Sequence, residues 1–238
     1  MKIKTENYKK IIKELDAVDA TLVAVSKIQP EERIMQLYNE GQRDFGENYV
    51  QELVDKYEKL PKDIRWHYIG HLQSNKVKYI APFIHLIHGV DRPSLLKEIN
   101  KQALKNNRKI DCLLQVHIAD EETKFGFDEN DLKEFLNPGN PESDLPKFKN
   151  IRLRGLMGMA TFTDDEEKIR NEFKGLKKIF NTHFTEKKST DHEEEIISSN
   201  EKTEPCILSM GMSADYKIAL EEGSNMVRIG SLLFGARI

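Results

Sequence analysis

Apolar positions along the chain fall into two alternating patterns. Short apolar runs recur at residues 21–26, 43–45, 65–69, 85–89, 112–118, 153–159, 206–210 and 226–234, and their length predicts strands. Between them apolar residues return at helical spacing. One helix starts behind Pro30, over 31–38, and stops at Gly41; another covers 49–60 and stops at Pro61. A third runs from Pro93 to 106, and a fourth, over 164–180, opens with acidic residues suited to the positive end of a helix dipole. A fifth spans 213–222, with Ser213 as a candidate cap and Gly223 as its stop. A further helix over 8–15 precedes the first strand.

Strand followed by helix, repeated through the chain, predicts a parallel sheet with helical crossovers. Eight strand positions select a closed (β/α)8 TIM barrel, as a single domain over 1–238, rather than an open doubly wound sheet. Two stretches break the rhythm. Residues 137–145 hold prolines and a glycine and read as an irregular surface loop, and 185–204 hold seven acidic side chains and little to bury.

Composition changes this picture mainly by exclusion. With 37 basic and 40 acidic side chains the net charge is −3, which provides no electrostatic ground for a nucleic-acid or anionic-membrane partner. No apolar run approaches the roughly 20 residues of a membrane helix. The opening Met-Lys-Ile-Lys-Thr-Glu lacks the apolar core of an export signal. The two cysteines, Cys112 and Cys206, lie in strand-like runs and read as reduced core residues, so a cytoplasmic protein is expected.

A barrel carries its working groups at the C-terminal ends of its strands. Lys27 closes the first strand and shares a face with Val23 and Val25. An ammonium on that face loses hydration, which frees the amine to attack a carbonyl; a lysine that snorkels to the rim is the simpler account of this residue alone. Arg228 sits among apolar residues of the last strand, where either a structural carboxylate or a ligand with a lone pair would satisfy it. Serine and glycine cluster after strand seven (Ser209 to Ser213) and strand eight (Gly230, Ser231), the two loops where barrels commonly hold a phosphate. A Schiff-base lysine, an arginine and a phosphate cradle together describe a pyridoxal phosphate site. The aldehyde meets Lys27, the phosphate meets Ser209, Ser213, Gly230 and Ser231, and Arg228 faces the ring nitrogen, opposing its protonation. Asn48, after strand two, is placed to reach the ring. A phosphosugar-binding barrel would keep the serine–glycine loops but leave Lys27 unexplained.

Other signals are weaker. His67, His71, His85, His88 and His117 match no tight zinc spacing, so no metal site is expected. Met157, Met159, Met210 and Met212 read as core or pocket lining.

Taken together, Ala24-Val-Ser-Lys27, Phe45-Gly-Glu-Asn48-Tyr-Val-Gln-Glu52, His67 to Lys76, Gly155-Leu-Met157, Leu208 to Ser213, Asp215 and Val227 to Arg237 resemble the pyridoxal phosphate homeostasis protein family, in order and over nearly the whole chain. The resemblance implies a barrel related to the alanine racemase N-terminal domain, with pyridoxal phosphate bound as a Schiff base on Lys27. Asn48, Met157, Ser209, Ser213, Arg228, Gly230 and Ser231 complete the implied cofactor site. It implies a role in intracellular cofactor homeostasis without robust turnover, so no catalytic residues are expected. The leading reading is a carrier that holds pyridoxal phosphate reversibly and passes it to apo-enzymes, with monomer and weak homodimer both open. The rival is an amino-acid racemase, which needs a second acid/base; Tyr49 or Tyr68 would have to supply it. Two features depart from the family pattern: His117 stands where asparagine is usual, and the acidic 185–204 stretch is longer.

Overall fold

Strands buried on both faces need apolar side chains toward the barrel axis and toward the helices, and the apolar runs supply both. The computed structural model describes residues 2–119, 125–137, 140, 145–185 and 205–235. Most of the acidic 185–204 stretch, and part of 137–145, lie outside the described residues.

Among the described residues eight strands pair in parallel and in chain order into a closed barrel: β1 (Thr21–Val25), β2 (Asp44–Glu47), β3 (Arg65–Tyr68), β4 (Leu86–Val90), β5 (Ile110–Gln115), β6 (Ile151–Met157), β7 (Ile207–Met212) and β8 (Met226–Ile229). Thr21 pairs with Met226 where β8 returns to β1. The helices lie outside: α1 (Thr5–Asp16), α2 (Glu31–Asn39), α3 (Val50–Lys59), α4 (Val77–Ile80), α5 (Pro93–Lys105), α6 (Glu129–Phe135), α7 (Glu166–Phe180), α8 (Tyr216–Glu221) and α9 (Ser231–Phe234). Pro93 opens α5 at its first turn, and the Asp165 carboxylate accepts from the Lys168 N–H at the start of α7.

The interior divides into two layers of contact. Val23, Leu86, Leu113, Met157 and Met226 pack on the barrel axis, while Phe45, Trp66, Phe173 and the helix faces fill the larger space between sheet and helices. Helix α1 buries Tyr8, Ile11 and Leu15, and the Lys4 N–H donates to the Leu233 carbonyl, so the first helix covers the last one.

Three expectations change. The apolar run 226–234 is a four-residue strand followed by a turn of helix, because Gly230 lets the backbone turn before the leucines. The helix expected from Ser213 begins only at Tyr216, behind Asp215, and Ser213 serves another purpose described below. The fifth strand ends at Gln115; beyond it Val116 forms an isolated bridge to Phe127, and its N–H still donates to the Met157 carbonyl. Short helices α4 and α6 occupy segments with no strong periodic signal.

Candidate functional site

Lys27 follows β1 in a turn whose two neighbours are fixed by a buried ion cluster. The Ser26 hydroxyl donates to Glu47 Oε1 at 2.6 Å. Lys56, on α3, donates from Nζ to Glu47 Oε1 (2.7 Å), to Glu52 Oε1 (2.6 Å) and to the Ser26 carbonyl (2.8 Å). Glu52 in turn accepts from the Ile28 N–H at 2.6 Å. Ile28 is held at φ +63°, an uncommon conformation for a β-branched residue. Glu47 has no exposed surface, and burial pushes its carboxyl above the usual range even beside Lys56. The backbone on both sides of Lys27 is thus anchored through side chains of β2 and α3.

The neighbouring strand, β8, delivers Arg228, which pairs in register with Val23 of β1 and is 4% exposed. Its guanidinium donates to the Ser209 carbonyl (2.9 Å), the Ser209 hydroxyl (2.7 Å) and the Gly158 carbonyl (2.9 Å). These acceptors are all neutral, and burial lowers the guanidinium pKa to about 10. The loops after β7 and β8 are tied together where the Gly230 N–H donates to Ser213 Oγ at 3.1 Å. Asp215, whose carboxyl is raised by burial, accepts from the Met212 N–H and shapes the first of these loops. Gly211 is required there: it sits at φ +94°, and a Cβ would lie 2.6 Å from that of Ala219.

These walls enclose an open cleft of about 730 Å³ at the C-terminal end of the barrel. Of the residues singled out in the sequence, Lys27, Asn48, Ser213, Arg228, Gly230 and Ser231 line it together. Met157 and Ser209 do not. Met157 packs on the barrel axis with Val23 and Leu113, and Ser209 is fully buried beneath Arg228. Met159 and Met212 take lining positions instead: Met159 is the next-but-one residue after Met157, turned to the same side one layer higher, and Met212 lies past the register shift that follows Ser209.

Comparison with known proteins gives the arrangement a family. The model of the alanine racemase N-terminal domain matches residues 4–238. The pyridoxal phosphate homeostasis protein of Aquifex aeolicus is 40% identical over 219 residues, 92% of this chain and 87% of that one. The chain belongs to the pyridoxal phosphate homeostasis protein family. A solved relative, PipY of Synechococcus elongatus with pyridoxal phosphate bound, is 29% identical with a TM-score of 0.78, covering 97% of this chain and 99% of that one. An alanine racemase of Clostridium difficile shares the fold at a TM-score of 0.68 and 14% identity, with 99% of this chain covering 58% of that enzyme.

Within this family member, the tyrosines suggested as a second acid/base stand outside the cleft lining. Tyr49 is 55% exposed. The buried Tyr68 hydroxyl donates to the carbonyls of Asn48 and His71, and burial raises its pKa to about 12. His117 lines a separate groove beside α7. Spacing along the chain does not reveal what the closed sheet brings together: ligand atoms of Asp44, His67 and His85 lie within 4.8 Å of one another at the opposite, N-terminal mouth. Arg65 donates to both Asp44 oxygens, which makes this a hydrogen-bonded cluster built around a guanidinium. Glu47, Glu52 and Lys56 were also overlooked. A charged residue inside a strand with burial on both sides, as Glu47 is in Asp-Phe-Gly-Glu, was the available signal. No helix among the described residues is long and apolar enough to cross a membrane.

Proposed function

We propose that this chain binds pyridoxal phosphate in the C-terminal cleft, as a Schiff base on Lys27, and acts as a reversible holder of the cofactor that supplies apo-enzymes. The observation that carries the proposal is Arg228: a buried cation at the cleft wall whose hydrogen bonds all go to neutral oxygens, facing the same space as Lys27. Such a group favours a ligand that presents a lone pair or an anion. Asn48 adds a second sign of fit, since its Oδ1 is buried without a hydrogen-bond partner in the same wall. Ser213, Gly230 and Ser231 form the side suited to a phosphate, with hydroxyl donors and close backbone approach. Arg228 opposite the pyridine nitrogen disfavours its protonation and weakens the ring as an electron sink. That supports holding over turnover, as does a cleft lined by neither Tyr49 nor Tyr68.

Added pyridoxal phosphate is expected to produce a visible absorption band, and borohydride to fix the cofactor to Lys27, seen as a modified peptide by mass spectrometry. Lys27→Ala should lose the band. A protein that gains no absorbance overturns the proposal. Deuterium from solvent entering the α-position of an amino acid at a rapid, Lys27-dependent rate would replace the holder with an enzyme.

A further inference from the structure

Below Arg228 a line of buried polar side chains crosses the barrel interior from one mouth to the other. Ser209 Oγ, which receives Arg228, lies 3.2 Å from His88 Nδ1. His88 Nε2 is 2.9 Å from His67 Nδ1, and His67 Nε2 is 2.9 Å from Asp44 Oδ1. Asp44 is clamped by Arg65. Ser209 and His88 have no exposed surface and His67 is 1% exposed, so these bonds are shielded from bulk solvent. The residues come from β2, β3, β4, β7 and β8, and no spacing in the sequence announces them.

The ends of this line set the direction of every proton in it. A guanidinium only donates and a carboxylate only accepts. With both imidazoles neutral, Ser209 accepts from Arg228 and donates to His88 Nδ1. His88 donates from Nε2 to His67 Nδ1, and His67 donates from Nε2 to Asp44. Each group is then satisfied. Burial above all, with the nearby Arg228 guanidinium, holds His88 below the usual imidazole range, in keeping with a neutral ring. A proton added at His67 would reverse the line: His67 would donate from both nitrogens, His88 would carry its hydrogen on Nδ1, and Ser209 would have to accept from His88 as well as from Arg228. The charged and titratable groups around the line are Asp44, Arg65, His85, Asp111 and Arg154 at the N-terminal mouth, and Arg228 with the buried Asp215 carboxyl at the other end.

We propose that Ser209, His88, His67 and Asp44 form a directional hydrogen-bond relay that positions Arg228 for the bound cofactor, with His67 and His88 as positioning residues remote from the cleft. The inference rests on the cofactor-binding reading for its effect on affinity, and on the ligand-free protein alone for its proton order.

The test uses the full chain labelled with 15N-histidine. In the ligand-free wild type, NMR should find both His67 and His88 neutral with hydrogen on Nε2. Hydrogen on His88 Nδ1, or a charged His88 at neutral pH, overturns the relay. His67→Phe removes the acceptor below His88; its ring should shift hydrogen to Nδ1, and the dissociation constant for pyridoxal phosphate, read from the visible band, should rise about three- to tenfold. His67→Asn, which keeps an acceptor near the position of Nδ1, should restore both. Ser209→Ala cuts the line beside Arg228 and should reproduce the weaker binding if His67→Phe fails to fold. Unchanged affinity in folded Ser209→Ala overturns the positioning role. Absence of any band in the wild type overturns the cofactor reading instead, with the NMR result deciding the relay by itself.

Discussion

Two buried cations flank the cleft, and their surroundings differ in one respect. Lys56 is 5% exposed and meets two carboxylates and a carbonyl. Arg228 is 4% exposed and meets only two carbonyls and a hydroxyl. Removing a charge from water costs several kcal/mol in either place. At Lys56 that cost is offset within the protein, and the result is a rigid support for the Lys27 turn. At Arg228 it is offset only in part, and the remaining positive charge stands at the wall of an open cleft. A buried ion bonded directly to its counter-ions is a structural element; one whose hydrogen bonds go to neutral oxygens, with Asp215 acting on it only through space, favours a partner from outside.

The contrast makes Lys56→Met the most damaging change. It strands Glu47 in the interior, and urea unfolding should show a loss of about 3–5 kcal/mol, the usual penalty for breaking a buried pair from one side. Arg228→Met should cost far less in stability, because only neutral acceptors are left behind. It should instead weaken pyridoxal phosphate binding by roughly 10- to 100-fold, the value of about 1.5–3 kcal/mol for hydrogen bonds to a charged group, measured by titrating the visible band. Equal stability losses in the two variants would erase the distinction.

Asp44 sharpens it from the other mouth. Arg65 and His67 hold its carboxyl well below the usual carboxylate range. A group with a lowered folded pKa adds stability in full above its unfolded value of about 3.9, and that stability is lost as pH falls toward the folded value. The urea midpoint should therefore drop more steeply from pH 5 to pH 3 (about those limits) in the wild type than in Asp44→Asn. The smallest expected effect is at Ile28, which is 63% exposed. Replacing it with glycine relieves about 1–2 kcal/mol of left-handed strain against about 0.5–1 kcal/mol of added chain entropy, a net gain of about 0–1.5 kcal/mol by urea unfolding.

The barrel was legible because each of its strands is a short apolar run followed by a helical one, and that rhythm survives errors at the boundaries. Where boundaries failed, the reason was local. Ser-Leu-Leu-Phe after Gly230 has no period that separates a strand from a turn of helix. The cleft was legible through Lys27, Arg228 and the serine–glycine loops, since the C-terminal ends of strands can be read from strand positions alone. Depth was not. Met157 and Ser209 lie one layer below the residues that line the cleft, and strand register, set by pairing with neighbours, decides the layer. The Lys56 cluster and the histidine line were hidden for a related reason, because their members meet only when separate strands close on one another.

Ile28 ties the support to the Lys27 turn. Its N–H is held by the same Glu52 oxygen that receives Lys56, while its backbone stays in a conformation that its own side chain disfavours. One carboxylate oxygen of α3 thus holds both the peptide that follows Lys27 and the Lys56 ammonium, so the docking of α3 on the barrel and the course of the chain beside Lys27 are coupled.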